Sequence, residues 1–220
     1  VYKRQILNTI NKESKLLFIC SPNNSTGNSI STKKIQQLLN SFSGLVVIDE
    51  AYIDFSSEQS WVSKLSEYPN LVVTQTLSKA YGMAGIRLGI CIASEQIIAV
   101  LNKIKPPYNV NELTQQRAIE RVAQPKVVQE EVNTILSERK LLKEALSGIA
   151  YVSKIYTSDA NFILVKVDDA SKRYNQLLEK GIVVRNRTTQ PLCEDTLRFT
   201  VGTPEENKIL VKMLNQISIS

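Results

Sequence analysis

Lys79 and Arg87 stand eight positions apart in T-L-S-K-A-Y-G-M-A-G-I-R-L-G, Thr76 to Gly89, a stretch dense in glycine and other small residues that let backbone approach a ligand. An amine condenses with an aldehyde once burial or nearby cations suppress its charge, whereas a guanidinium stays charged and forks onto phosphate oxygens. The pair therefore suits a carbonyl compound that carries a phosphate, with Lys79 as covalent anchor and Arg87 as clamp. A lysine with an arginine downstream is more commonly solvated surface, so context has to decide. The chain has no histidine. Ser-His-Asp and Cys-His catalysis and His-ligated metals are thereby removed, and any general acid or base must be Lys, Tyr, Asp, Glu or Cys. Cys20, Cys91 and Cys193 are odd in number and far apart. They read as buried free thiols in a reducing compartment, without disulfide framework or metal spacing.

The elements that would position these groups alternate. Leu16–Cys20 is a continuous apolar run, expected to be a strand buried on both faces of a parallel sheet. It ends at S-P-N-N-S-T-G, where Asn24 is either a turn former or a ligand group at the carboxyl end of a strand. Ser31 caps an expected helix, Thr32 to Phe42, and Leu45–Ile48 forms the next strand. Asp49, Glu50 and Tyr52 follow directly. Asp49 is placed to pair with a cofactor ring nitrogen or, more plainly, to cap a helix. Glu50 is expected to be exposed and receives no catalytic part. Trp61–Tyr68 reads as a helix and Leu71–Thr74 as a strand, and Ile86–Ala93 as a strand bearing Arg87 at its start. This order predicts a doubly wound α/β layer with Asn24, Asp49 and the lysine stretch along one edge.

After a helix over Glu95–Ile104, Pro106-Pro107 breaks the chain and marks an exit from the first domain. Tyr108 and Asn109 there are either near a substrate or part of a stiff linker. Two helices, Glu112–Ala123 and Val127–Leu146, are separated by Pro125, and the rest is an α+β pattern of short strands with a closing helix from Pro204 to Ile217. The expected division is 1–108, 109–148 as linking helices, and 149–220 as a small C-terminal domain. Arg198, within L-R-F-T-V-G, reads by itself as a snorkelling strand arginine.

Charge is 27 basic against 21 acidic residues, net +6, but scattered, so no nucleic-acid surface is expected. No run is long enough to span a bilayer, no secretory signal opens the chain, and a cytoplasmic location is expected. Val1-Tyr2-Lys3-Arg4 lacks an initiator Met and opens inside an apparent helix running to Asn11, which reads as a fragment or processed product.

Four segments in order, Ser21–Gly27, Val46–Tyr52, the lysine stretch and Leu197–Pro204, make the chain resemble the pyridoxal 5′-phosphate (PLP) aminotransferases of the aspartate-aminotransferase-like fold type I. The branch resembled most acts on histidinol phosphate. The resemblance implies an α/β fold, a mostly parallel sheet flanked by helices with a smaller α+β C-terminal domain, and the absence here of a substantial N-terminal portion. It implies PLP as cofactor, with Lys79 as the anchoring and proton-carrying amine and Asp49 on the ring nitrogen. Asn24 and Tyr52 reach the ring hydroxyl, and Ser78 and Arg87 hold the phosphate. Arg198 would grip the substrate carboxylate and Arg185, or Arg187 in the same loop, the substrate phosphate. The family usually has proline where this chain has Ser25. The implied reaction converts histidinol phosphate and 2-oxoglutarate to imidazole-acetol phosphate and glutamate, in histidine biosynthesis, by a homodimer with small-molecule substrates and no membrane partner. Also open are a threonine-phosphate decarboxylase, an aminotransferase for aromatic or aliphatic amino acids, a PLP-binding regulatory domain, and an inactive piece.

Overall fold

The computed structural model describes residues 2–218. It divides into two compact units, one formed by the chain through Asn23 and again from Ser29 to Pro125, the other by Asn24–Asn28 and the chain from Lys126 onward.

The first unit is a four-stranded sheet. Strands β1 (Leu16–Cys20), β2 (Leu45–Asp49) and β3 (Leu71–Thr76) run parallel in that spatial order, and β4 (Gly89–Ala93) pairs antiparallel with β3. The register aligns Cys20 with Asp49 and Asp49 with Thr74, so β1 and β2 end level while β3 runs two residues further to Thr76, and all three release their loops at the same edge. Helix α1 (Tyr2–Thr9) precedes β1, and Val1 lies outside the described residues. Helix α2 (Thr32–Ser41) buries Ile35, Leu38 and Leu39, which recur at helical spacing, against Ile19, Val46, Ile48, Leu71 and Val73. The segment expected to be a helix from Trp61 to Tyr68 is instead a 3₁₀ turn over Trp61–Lys64. Ser60 starts it by accepting from the Val62 amide, and buried Trp61 fills the same core.

Two expectations for this sheet are corrected. It is mostly parallel, but β4 turns back, so the lysine stretch is the loop of a long hairpin rather than a crossover. Burial on both faces holds for β2 and β3, whose Val47 and Val72 are buried on the face away from α2. Edge strand β1 exposes Phe18 by 70%. On β4, Cys91 is also exposed and Cys20 is half-buried, so only Cys193 is the buried thiol expected. Helix α3 (Glu95–Ile104) and helix α4 (Glu112–Val122) complete the unit, α4 starting at Asn111, whose side chain accepts from the Thr114 amide.

In the second unit, helix α5 (Pro125–Ser147) has Pro125 as its first residue, where a missing N–H costs nothing. Strands β5 (Val152–Ile155), β6 (Phe162–Val167), β7 (Arg185–Asn186) and β8 (Thr196–Thr200) make an antiparallel sheet ordered β5-β6-β8-β7. Helices α6 (Ala170–Glu179) and α7 (Pro204–Ser218) join α5 over the face carrying Ile163, Val165, Leu197 and Phe199. The α7 N-terminus is a capping box: the Thr203 amide donates to Glu206 Oε2 at 2.8 Å, and the Glu206 amide to Thr203 Oγ1 at 3.2 Å. Buried Arg173 on α6 ties the C-terminal helix down by donating to the Ile217 carbonyl at 2.8 Å while its guanidinium lies 4.1 Å from the Tyr151 ring centre. Among the described residues no helix is long and apolar enough to cross a membrane.

Candidate functional site

The first unit gathers five of the residues singled out from the sequence. Asp49 is the last residue of β2, half-buried, and its Oδ1 accepts from the Ala51 amide at 3.0 Å. That bond starts the turn that brings Tyr52 inward to 5% exposure. Lys79 is half-buried, and its Nζ lies 5.3 Å from the centre of the Tyr52 ring. The ammonium therefore faces an aromatic surface that tolerates its charge.

The loop carrying Lys79 is built by short-range bonds. Thr76 Oγ1 donates to Ser78 Oγ at 2.9 Å or to the Leu88 carbonyl at 3.2 Å, and accepts from the Ser78 amide at 3.1 Å. The Gly82 amide donates to the Lys79 carbonyl at 3.0 Å, and the Met83 amide returns to the Leu77 carbonyl at 2.9 Å. Gly82 takes φ +69, the left-handed conformation that lets the chain reverse here.

Arg87 is not the first residue of a strand. It caps a 3₁₀ turn over Ala84–Ile86 in the left-handed conformation, φ 56 and ψ 47, two residues before β4. Its side chain is exposed and gives one N–H to the Ala84 carbonyl at 2.9 Å. The run Ile86–Ala93 was read as strand throughout, whereas the reversal consumes its residues up to Leu88. Farther along, buried Thr114 on α4 donates to the Ile86 carbonyl at 3.3 Å and Arg121 Nε to the Tyr81 carbonyl at 3.0 Å, so α4 braces the loop at two points.

The second unit gathers Asn24, Ser25, Arg185, Arg187 and Arg198. Leu197 and Phe199 of β8 point into the core, so strand alternation sends Arg198 to the opposite face, with its guanidinium 4.7 Å from the Phe162 ring centre. Arg185 is the direct partner of Arg198 across the β7–β8 ladder and therefore shares that face. On this side lies the loop Asn24–Asn28. Arg198 donates to Asn24 Oδ1 at 2.7 Å, and Arg187 donates through Nε and one terminal nitrogen to Ser25 Oγ, at 2.9 and 2.6 Å. Gly27, at φ +84, gives its carbonyl to the Asp159 amide at 2.7 Å, and a Cβ there would stand 2.7 Å from Ser158 Oγ. The residue must therefore be glycine on two counts. Arg185 is exposed, Arg187 half-buried and held, which separates two arginines that the sequence alone left equivalent.

Glu50 is the residue whose placement the sequence misjudged. It is 1% exposed, not a surface carboxylate. Oε2 accepts from the Ser60 hydroxyl at 2.6 Å and Gln75 Nε2 at 2.9 Å, and Oε1 from the Trp61 amide at 2.7 Å. The signal available was its parity with Val46 and Ile48, which puts Glu50 on the same face as those two core residues if alternation continues past Asp49.

The first unit thus sets a lysine beside an aromatic and an aspartate at a strand end, and the antiparallel second unit shows arginines on one face. The chain belongs to the aminotransferase class I and II family, whose model matches residues 3–214. It is 61% identical over 214 residues to the histidinol-phosphate aminotransferase of Flavobacterium johnsoniae, covering 97% of this chain and 61% of that protein. Among solved structures it is similar to the histidinol-phosphate aminotransferase of Clostridium acetobutylicum, with TM-score 0.93 and 25% identity over 100% of this chain and 68% of that one. It also shares the fold of the histidinol-phosphate aminotransferase of Sinorhizobium meliloti solved in complex with pyridoxal-5′-phosphate, at TM-score 0.85 and 21% identity, covering 94% of this chain and 58% of that one. The chain spans about three fifths of the length of the curated relatives it matches.

Proposed function

We propose that this chain is the part of a PLP-dependent transaminase that carries the anchoring lysine, and that the whole protein exchanges the amino group of histidinol phosphate with 2-oxoglutarate in histidine biosynthesis. The observation that carries the reading is Lys79 held against Tyr52 with Asp49 at the end of the neighbouring strand. The donor set fits the group: an amine for the aldehyde, a carboxylate for the ring nitrogen, and the Ser78 hydroxyl and exposed Arg87 fork for the phosphate. The 61% identity to a histidinol-phosphate aminotransferase supports the choice of substrate.

When bound, pyridoxal phosphate supplies an electron-withdrawing ring that stabilises negative charge at the substrate Cα. Asp49 would hold the ring nitrogen protonated, with the Ala51 amide already donating to its Oδ1. Lys79 would anchor the group, and its amine would accept the proton from the substrate Cα, the task suited to an amine in a chain without histidine. Arg198 donates to the oxygen of Asn24, so the Asn24 amide nitrogen would be the group free to donate to the ring oxygen. Arg198 binds the α-carboxylate of glutamate, and Arg185, on the same face and exposed, binds the substrate phosphate, with Arg187 as the second candidate. The working protein is a cytoplasmic homodimer acting on small molecules.

The test is the intact protein supplied with L-histidinol phosphate, 2-oxoglutarate and pyridoxal phosphate. Glutamate formation dependent on all three is the expected result. Release of carbon dioxide from threonine phosphate without glutamate formation would replace this reading with the decarboxylase.

A further inference from the structure

Glu50 stands next to Asp49 in sequence, is sealed from solvent, and has no part in the chemistry above. Its bonds nevertheless connect the Asp49–Tyr52 turn and the 3₁₀ turn at Trp61 to β3, the strand that leads into the lysine loop. Its amide donates to the Thr74 carbonyl at 2.8 Å, extending the β2–β3 pairing past Asp49, and its carbonyl accepts from the Ile53 amide at 3.1 Å. Its carboxylate spans from the 3₁₀ turn at Ser60–Trp61 to Gln75 on β3, and Gln75 Nε2 also donates to Ser60 Oγ at 3.2 Å. Gln75 is followed directly by Thr76, whose hydroxyl opens the lysine loop.

Resting on the function proposed above, we infer that Glu50 is a positioning residue: its carboxylate is the strut that fixes the Asp49–Tyr52 turn relative to β3 and hence to Lys79. Three donors on one carboxylate leave no freedom for the turn to slide along β3. Without the strut, Asp49 loses its constraint toward the ring nitrogen and Tyr52 its placement under Lys79, while both side chains remain present. A buried carboxylate serving only as core filling has no such consequence, because its loss lowers stability without altering the bound group.

The experiment reads the absorbance of the Lys79-bound cofactor against pH in the intact protein. Glu50→Gln is nearly isosteric but presents an amide hydrogen where donors now converge. Its titration midpoint is expected to rise by about half a unit to one unit, because a loosened Asp49 leaves the ring less positive and the lysine-bound nitrogen more basic. Cofactor affinity falls about tenfold with it. The double variant Glu50→Gln/Gln75→Glu restores a carboxylate–amide pair across the same gap and is expected to return the midpoint to that of the parent. Leu38→Ala, which hollows the core under α2, lowers the melting temperature and leaves the midpoint in place. If Glu50→Gln fails to fold, Gln75→Ala cuts the strut on the β3 side alone, and a smaller rise is expected. A folded Glu50→Gln or Gln75→Ala protein with the parental midpoint overturns the strut. Failure of the parent itself to bind the cofactor through Lys79 overturns the function reading and the strut with it.

Discussion

The lysine loop of the first unit and the arginine face of the second solve the same problem, placing cations, by opposite means. Arg185 and Arg198 are placed by strand geometry: once Leu197 and Phe199 are committed to the core, alternation leaves Arg198 no other face, and ladder register puts Arg185 beside it. Lys79 has no such periodicity behind it. Its position depends on Thr76, Ser78, Gly82 and Met83 bonds within the loop, on α4 bracing Tyr81 and Ile86, and on Tyr52 arriving from another strand. A cation placed by a sheet tolerates changes around it, whereas one placed by a loop inherits every defect in the loop.

The largest effect expected from breaking this contrast is at the lysine itself. Lys79→Ala in the intact protein should lower kcat by about 10²–10⁴-fold or more, since both anchor and proton carrier are lost. Borohydride reduction with pyridoxal phosphate, followed by peptide mass spectrometry, should label Lys79 in the parent and no single site in the variant. A specific label elsewhere would reassign the anchor.

Next is Arg198. Arg198→Lys keeps the charge but loses the fork, and kcat/KM for glutamate should fall by about 10–100-fold, equivalent to about 1.5–3 kcal/mol for a hydrogen bond to a charged group. Because Arg198 also orients Asn24, cofactor affinity should weaken in the same variant, which a residue touching substrate alone would not produce.

A smaller effect sharpens the comparison within the arginine face. Arg185→Ala should raise KM for the phosphorylated substrate by about tenfold while leaving that for 2-oxoglutarate unchanged. Arg187→Ala should act instead on stability, lowering the unfolding free energy by about 1 kcal/mol through loss of two donors to Ser25. The reverse pattern would make Arg187 the phosphate contact.

How much of this was legible follows the same contrast. Strand β1 and helix α3 appear at the expected residues, and β2, α2, α4 and α7 within one residue at an end, because apolar runs and helical spacing are local signals. Arg198 was legible as a strand residue between core positions. The lysine loop was legible in composition but not in path: nothing local states that β4 returns antiparallel, and Arg87 was therefore placed in a strand it only precedes. Glu50 was missed because its partners, Ser60, Trp61 and Gln75, come from segments 10 to 25 residues away. Ser25 read as a looser turn in place of a proline. Its hydroxyl accepts two N–H groups from Arg187, 162 residues distant, so the rigidity comes from tertiary contact and not from the backbone ring.

The smallest effect concerns the second unit's own stability. Arg173 donates to both oxygens of Asp168, at 3.0 and 2.7 Å, and these bonds hold the Asp168 carboxyl below the usual carboxylate range. A folded-state value below the unfolded one, which lies near about 3.9, contributes stability that is complete above the unfolded value and is lost as pH falls through the folded one. Asp168 is about half exposed, so solvent screening limits the contribution to about 1 kcal/mol or less. Asp168→Asn should therefore unfold at a slightly lower urea concentration than the parent at pH 7, and the gap should narrow progressively as pH falls below the unfolded value. A gap that persists unchanged at low pH would mean that Arg173 is held by the Ile217 carbonyl and the Tyr151 ring, with the carboxylate contributing nothing.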